Sequence, residues 1–136
     1  MSKQPAQRLN AGKVKSFEDL RIWQEARELV RSIYSDFAKG TKGFHDFDLK
    51  GQLCKAGLSI MNNIAEGFER GTDTDFARFL DIAKGSCGEV RSMYYTVEDL
   101  GYTTPETAAD QRGRAKQLTR GIASLASHLR KDPPRV

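Results

Sequence analysis

Apolar side chains recur along this chain in steps of three and four, and they do so in four separate runs, each closed by a recognisable stop. The first run is Phe17, Leu20, Trp23, Ala26, Val30, Ile33 and Phe37. Ser16, with Asp19 three residues on, resembles a capping box before it, and Gly40 and Gly43 break it. The connection "FHDFD" then offers Asp46 or Asp48 as the cap of a second helix. Its stripe is Leu49, Leu53, Ala56, Ile60, Asn63 with Ile64, and Gly67 with Phe68, and Arg70-Gly71 closes it. Thr72 or Asp73 caps a third run through Phe76, Phe79, Ala83, Ser86 with Cys87, Val90, Tyr94, Val97 and Leu100, which ends at Gly101. Thr104-Pro105-Glu106 supplies a cap, a proline at the first helical position and an acid in the first turn. The fourth run follows at Ala108, Ala115, Leu118, Ile122, Leu125 and Leu129, and Pro133-Pro134 stops it. No segment sustains a period of two, so nothing predicts a strand.

Four helices of roughly 20 residues, each about 30 Å long and joined by short loops, predict an all-α protein. The expected architecture is an antiparallel up-down-up-down four-helix bundle over residues 16–131, between a flexible basic arm at 1–15 and a flexible tail at 132–136. In the third helix, "AKGSCGEV" leaves little side-chain bulk over two turns at Ala83, Gly85, Ser86 and Gly88. Each interior glycine costs about 0.8–1 kcal/mol of helix propensity relative to alanine. Close approach of another helix is the simplest compensation; a groove lined by bare backbone is the sharper alternative.

Length and composition narrow the function classes. A chain of 136 residues suits one domain. It has no run of about 18 apolar residues to span a membrane, and "MSKQPAQRLNAGKVK" lacks the apolar centre of a signal peptide, so a cytoplasmic protein with no membrane role is expected. Cys54 and Cys87 stand apart without metal or redox spacing, which predicts buried reduced thiols. The net charge is +4, and both ends are basic: Lys3, Arg8, Lys13 and Lys15 precede Ser16 with no acid, and seven basic residues from Arg112 onward face Asp132 alone. Between them, Phe17 to Gln111 carries 11 basic and 17 acidic residues. This distribution nominates Lys3, Arg8, Lys13, Lys15, Arg112, Arg114, Lys116 and Arg120 as contacts for RNA or DNA, against the plainer reading of solvated tails.

One stretch, "SIMNNIAEGFERGT", crowds polar groups against an apolar stripe. Heptad counting from Leu53 puts Asn63 at a core position and Glu66 at its flank, and Glu89 flanks the third helix in the same way. A carboxylate at a core border needs a cation or several donors. Arg70, one turn after Glu66, is a local partner; Asn63, Gln24, Arg21 and Arg91 are candidates across helices. An enzymatic reading makes Glu66 and Glu89 metal ligands or an acid/base pair. Carboxylate metal sites in helical bundles use several glutamates with Glu-x-x-His steps, whereas the only histidines, His45 and His128, do not follow a glutamate by three. There is no phosphate loop, and "GSCGE" is not a nucleophile elbow. Neither catalysis nor a cofactor nor a metal is therefore expected, and Asn63, Glu66, Arg70 and Glu89 are read as a structural polar network.

Three motifs then carry a resemblance. "F-x-D-L-x-x-W-Q" (Phe17, Asp19, Leu20, Trp23, Gln24), "S-I-x-x-N-I-A-E-G" (Ser59, Ile60, Asn63 to Gly67) and "G-S-x-x-E" (Gly85, Ser86, Glu89) resemble successive helices of a known four-helix bundle family. Its members come from open reading frames in intervening sequences of bacterial 23S ribosomal RNA genes, and an older name is the S23 ribosomal protein family. The likeness is strong over Ser16 to Tyr102 and covers the fourth helix only in length and pattern. It implies a compact antiparallel bundle, a homopentameric ring and no known enzymatic activity. Relatives among the accessory variability determinants of diversity-generating retroelements are basic pentamers that bind a reverse transcriptase and nucleic acid; the acidic middle of this chain departs from that type. The expectation is an oligomeric interaction or scaffold protein that binds nucleic acid without sequence preference, with a reverse transcriptase as a candidate partner. A purely protein-binding oligomer is the alternative, followed by a metal-dependent enzyme using Glu66 and Glu89. Ile22, Leu29 and Leu58 widen the apolar stripes of the first two helices and predict a second buried surface between subunits.

Overall fold

The computed structural model of the chain describes residues 14–131. Among them are four α-helices and no strand: α1 (Arg21–Asp36), α2 (Phe47–Glu69), α3 (Asp73–Asp99) and α4 (Pro105–Lys131), preceded by one 3-10 turn at Phe17–Asp19. One core joins all four helices, centred on Phe37, Leu53, Ile60, Phe76, Leu80, Tyr94, Leu118 and Ile122. No helix is long and apolar enough to cross a membrane.

The first helix does not run unbroken out of Ser16 as expected. Asp19 Oδ2 accepts from the backbone N–H of Lys15 at 2.9 Å and of Ser16 at 3.1 Å, and these donors, Lys15 first, hold its carboxyl below the usual range. That closes one tight turn. Leu20 is then extended, with ψ 127°, which drops its side chain into the core before α1 begins at Arg21. Gln24 spans the break by donating Nε2 to Glu18 O at 2.8 Å. The helix α1 buries Ile22, Ala26, Leu29 and Ile33, so the expected Ala26 and Ile33 lie in the core, while Trp23 and Val30 are only partly covered. Ile22 and Leu29 thus belong to the chain's own core and do not form a second face; Leu58, 36% exposed, remains outside it.

The other three helices begin and end where local chemistry directs. Asp46 is the cap of α2, accepting from Leu49 N at 3.1 Å, and Thr72 is the cap of α3, accepting from Asp75 N at 3.2 Å. Thr104 Oγ1 accepts from Thr107 N at 3.1 Å at the start of α4. Gly71 (φ 85°) and Gly101 (φ 69°) take the left-handed conformation that follows α2 and α3. In α3 the buried position is Leu80, with Phe79 only partly covered, and Leu100 ends up exposed.

Neighbouring helices touch at identifiable points. Gly67 of α2 lies against Phe76 and Phe79 of α3, so close that a Cβ there would sit 2.8 Å from Phe79 Cβ. Ser59 of α2 meets Ser86 of α3, Tyr94 of α3 meets Gln111 of α4, and Asp81 of α3 pairs with Arg130 of α4. Gly57 abuts Ile33, and Gly121 abuts Ile22. The expected close approach at Gly85 and Gly88 is not found: a Cβ at either would meet nothing within 4 Å. Ala83 and Ser86 face the core, which turns the two glycines outward.

Candidate functional site

A buried polar cluster lies between α1, α3 and α4. Tyr94 is fully buried and donates its hydroxyl to Asp36 Oδ2 at 2.8 Å. Gln111, only 3% exposed, donates Nε2 to the same Asp36 oxygen at 2.9 Å and to Ser32 Oγ at 2.8 Å, and lies 3.3 Å from the Tyr94 hydroxyl. Arg114 reaches Ser32 Oγ from outside at 3.1 Å. Burial, and then the Asp36 carboxylate, push the Tyr94 phenol far above its usual range, so it stays a neutral donor. A cleft of about 160 Å³ opens beside the cluster, lined by Ser32, Asp36, Thr107, Asp110, Gln111 and Arg114. The hydrogen bonds tie three helices together, with the neutral phenol as a donor. Sequence reasoning missed this cluster because it tracked apolar residues; the signal was Gln111, seated in the gap between Ala108 and Ala115 of the fourth stripe.

The stretch that drew attention in the sequence holds a smaller contact. Ser59 Oγ and Ser86 Oγ lie 2.8 Å apart across α2 and α3, and Asn63 Nδ2 donates back to Ser59 O at 2.8 Å and Ser59 Oγ at 3.1 Å. Asn63 is half-buried and bonds within its own helix, so the serines, rather than Asn63, carry the interhelical bond. Glu66 and Glu89 are both exposed, in contrast to the expected core border. The buried stripes run through Ile60, Ile64 and Gly67 and through Ser86, Cys87 and Val90, one helical step away from each glutamate. Glu66 pairs with Arg70 at 3.7 Å with both side chains about half exposed, an interaction of little stabilising value. Glu89 borders a shallow cleft of about 230 Å³ with Gln52, Lys55, Ala56 and Met93. Arg21 and Gln24 engage Glu25 and Glu18 O within their own segment. Among the described residues no three His, Cys, Asp or Glu side chains are grouped to hold a metal ion. Cys54 and Cys87 are free and buried, and burial pushes the Cys87 thiol up to about 11.

The basic candidates separate into distinct environments. Lys3, Arg8 and Lys13 lie outside the described residues, and Lys15 is exposed at their edge. Arg112 is not a surface cation: its side chain is 17% exposed, pairs with Glu98 at 2.9 Å, donates to Tyr94 O at 3.3 Å and stacks 4.1 Å from the Tyr95 ring centroid. Arg114 lines a groove of about 370 Å³ between α1 and α4 with Arg21, Gln24, Glu25, Glu28 and Gln117, and the two carboxylates there pair with Arg21 and Arg31. Lys116 and Arg120 are exposed one turn apart on α4 and make no ion pair among the described residues.

With this geometry in hand, comparison with known proteins gives one family and one fold. The family model described as 23S rRNA-intervening sequence protein matches residues 18–124. A solved structure of a protein of unknown function from the S23 ribosomal protein family of Bacteroides thetaiotaomicron VPI-5482 is similar with a TM-score of 0.72. It is 19% identical, and the match covers 78% of this chain and 95% of that one, a likeness of fold. No curated protein matches the chain.

Proposed function

The chain belongs to the 23S rRNA-intervening sequence protein family, and from that premise we propose that it is a non-enzymatic interaction protein, an antiparallel four-helix bundle that assembles with copies of itself and holds RNA or DNA through phosphate contacts. The order of helix contacts supports the antiparallel arrangement: Gly67 faces Phe76 while Ser59 faces Ser86, and Tyr94 faces Gln111 while Asp81 faces Arg130. The observation that carries the functional reading is a division of the surface. Among the described residues, large exposed apolar side chains on the helix faces sit on α1, α2 and α3 and just beyond α3, at Tyr34, Leu58, Ile82, Tyr95 and Leu100, and none is on α4. The outer side of α4 instead carries Lys116 and Arg120. Apolar exposure suits contacts with other subunits, and the basic helix suits a polyanion.

A closed ring of five subunits, as the family resemblance implies, is the assembly this reading favours, and repeating a weak basic patch lets its contacts add by avidity. A nucleic-acid enzyme such as a reverse transcriptase is the protein partner it names. Sedimentation equilibrium at micromolar concentration tests the assembly: five chain masses are expected, and a mass of one chain overturns it. A gel-shift titration at low salt tests the ligand. No retardation of RNA or DNA by the intact oligomer leaves a purely protein-binding scaffold as the reading.

A further inference from the structure

The connection between α1 and α2 carries an exposed aromatic corner that the phosphate-contact reading does not use. Phe44, His45 and Phe47 approach one another edge to face, with ring centroids 4.9 Å apart for Phe44 and His45, 6.2 Å for Phe44 and Phe47, and 6.0 Å for His45 and Phe47. Phe47 is 64% exposed, the most open large apolar side chain among the described residues, and His45 is exposed beside it. Lys50 Nζ lies 4.9 Å from the Phe44 ring centroid, and Lys39 and Lys42 are exposed on the same connection. None of these lysines makes an ion pair among the described residues. Of the two nearby acids, Asp46 is occupied, capping α2 and accepting the Tyr102 hydroxyl at 2.8 Å.

The corner is held in place from below. Thr41 Oγ1 donates to Ala38 O at 2.7 Å, Phe44 N to Thr41 O at 3.3 Å and Asp46 N to Gly43 O at 3.0 Å. Gly43 is wedged so tightly that a Cβ would lie 2.9 Å from the Phe37 ring and 3.0 Å from that of Tyr102. Next to it an open cleft of about 530 Å³ runs between this connection and the one joining α3 to α4, lined in part by Thr41, Lys42, Tyr102 and Thr103.

We propose that this corner is a base-stacking site for single-stranded nucleic acid, with unpaired bases packing on the Phe47 and His45 rings and the chain's phosphates lying along Lys39, Lys42 and Lys50. The inference rests on the nucleic-acid reading above and adds a specificity to it. Aromatic faces take any base, and ammonium groups alongside take the backbone, which is how strands are held without sequence preference. Ammonium groups beside the rings favour a polyanion over an apolar protein surface: Lys50 Nζ lies 4.9 Å from the Phe44 ring centroid, and Lys39 and Lys42 are exposed on the same connection. Rings set at 72° to 87° to one another present faces in different directions, which suits splayed single bases and excludes a duplex, whose base faces are already covered.

The test compares a 20-nucleotide oligouridylate with an RNA duplex of equal length by fluorescence anisotropy at one fixed salt concentration. Phe47→Ala is expected to weaken binding of the single strand by about ten-fold, the lower part of the range for one stacked base, and to leave the duplex affinity unchanged. Phe47→Trp is expected to restore single-strand binding, and its added indole emission to be quenched by the oligonucleotide. Wild-type binding of both RNAs, with Phe47→Ala altering neither, overturns the stacking site while leaving the phosphate-contact reading intact. Absence of wild-type binding to either RNA overturns both. A reduced sedimentation mass for Phe47→Ala assigns the ring to a subunit contact and likewise overturns the stacking site.

Discussion

At the scale of single residues, the chain's polarity is managed in one place and discarded in another. Asp36 accepts from both Tyr94 and Gln111, so the two donors are not equivalent. Tyr94→Phe removes one donor and leaves Asp36 bonded to Gln111, a loss of about 1 kcal/mol; Gln111→Ala strips donors from Asp36 and Ser32 together and opens a gap, a loss of about 2–3 kcal/mol. Urea unfolding of the two variants should rank them in that order. Cys87 gives a pH signature. Its thiol is held up to about 11, above its ordinary value of 9.0 in the unfolded chain, so the native state is favoured while the thiol is protonated. That contribution is complete below pH 9 and declines as pH rises toward 11. The melting temperature should fall between pH 9 and pH 11 in the wild type, and by less in Cys87→Ala. Glu66 and Glu89 illustrate why the candidate site was only partly legible in sequence. Heptad counting places a residue to within one helical step, and one step separates a core border from open water.

At the scale of elements, helix identity was legible and so was most of helix phase, with single-position misses such as Val30 for Leu29 and Phe79 for Leu80. Stops at Gly71 and Gly101 and the Thr104-Pro105 start are local backbone chemistry, and they appear where the sequence puts them. Asp19 bonds back to Ser16 N, as the expected capping box does, but the turn it caps is a single 3-10 turn that ends at the extended, buried Leu20. Ala26 and Ile33 are buried as the stripe expects, and Leu29 takes the core position between them in place of Val30. Glycines sort the same way. Gly67→Ala forces a Cβ into Phe79 Cβ and within 3.2 Å of Phe76 O, where neither neighbour is a flexible side-chain end, so a large loss in thermal stability is expected. Gly85→Ala and Gly88→Ala meet open space and should each raise the stability of the chain by roughly 0.8–1 kcal/mol. If the outward face of α3 packs on another subunit, the same two changes lower the oligomer mass in sedimentation while the melting temperature of the dissociated chain rises.

At the scale of the whole molecule, the basic residues of α4 divide into those that hold the fold and those available to a ligand. Arg112 faces Glu98, Tyr94 O and the Tyr95 ring, and reversing its charge sets a carboxylate against Glu98 at a site only 17% exposed. Arg112→Glu therefore reports on folding, and any loss of RNA binding it causes says nothing about a phosphate contact. Lys116 and Arg120 are exposed on α4 without an ion pair among the described residues, so their reversal leaves the core untouched. Each cation that neutralises a phosphate releases a counterion, and binding weakens steeply as salt rises from about 50 to 200 mM. Lys116→Glu with Arg120→Glu should keep the wild-type melting temperature and oligomer mass. It should also weaken RNA binding at low salt and flatten the salt dependence, by about one unit of slope for each phosphate no longer neutralised. An unchanged slope in a folded, fully assembled double variant removes α4 from the polyanion surface and leaves the basic residues before Ser16, together with the α1–α2 connection, to account for any binding observed.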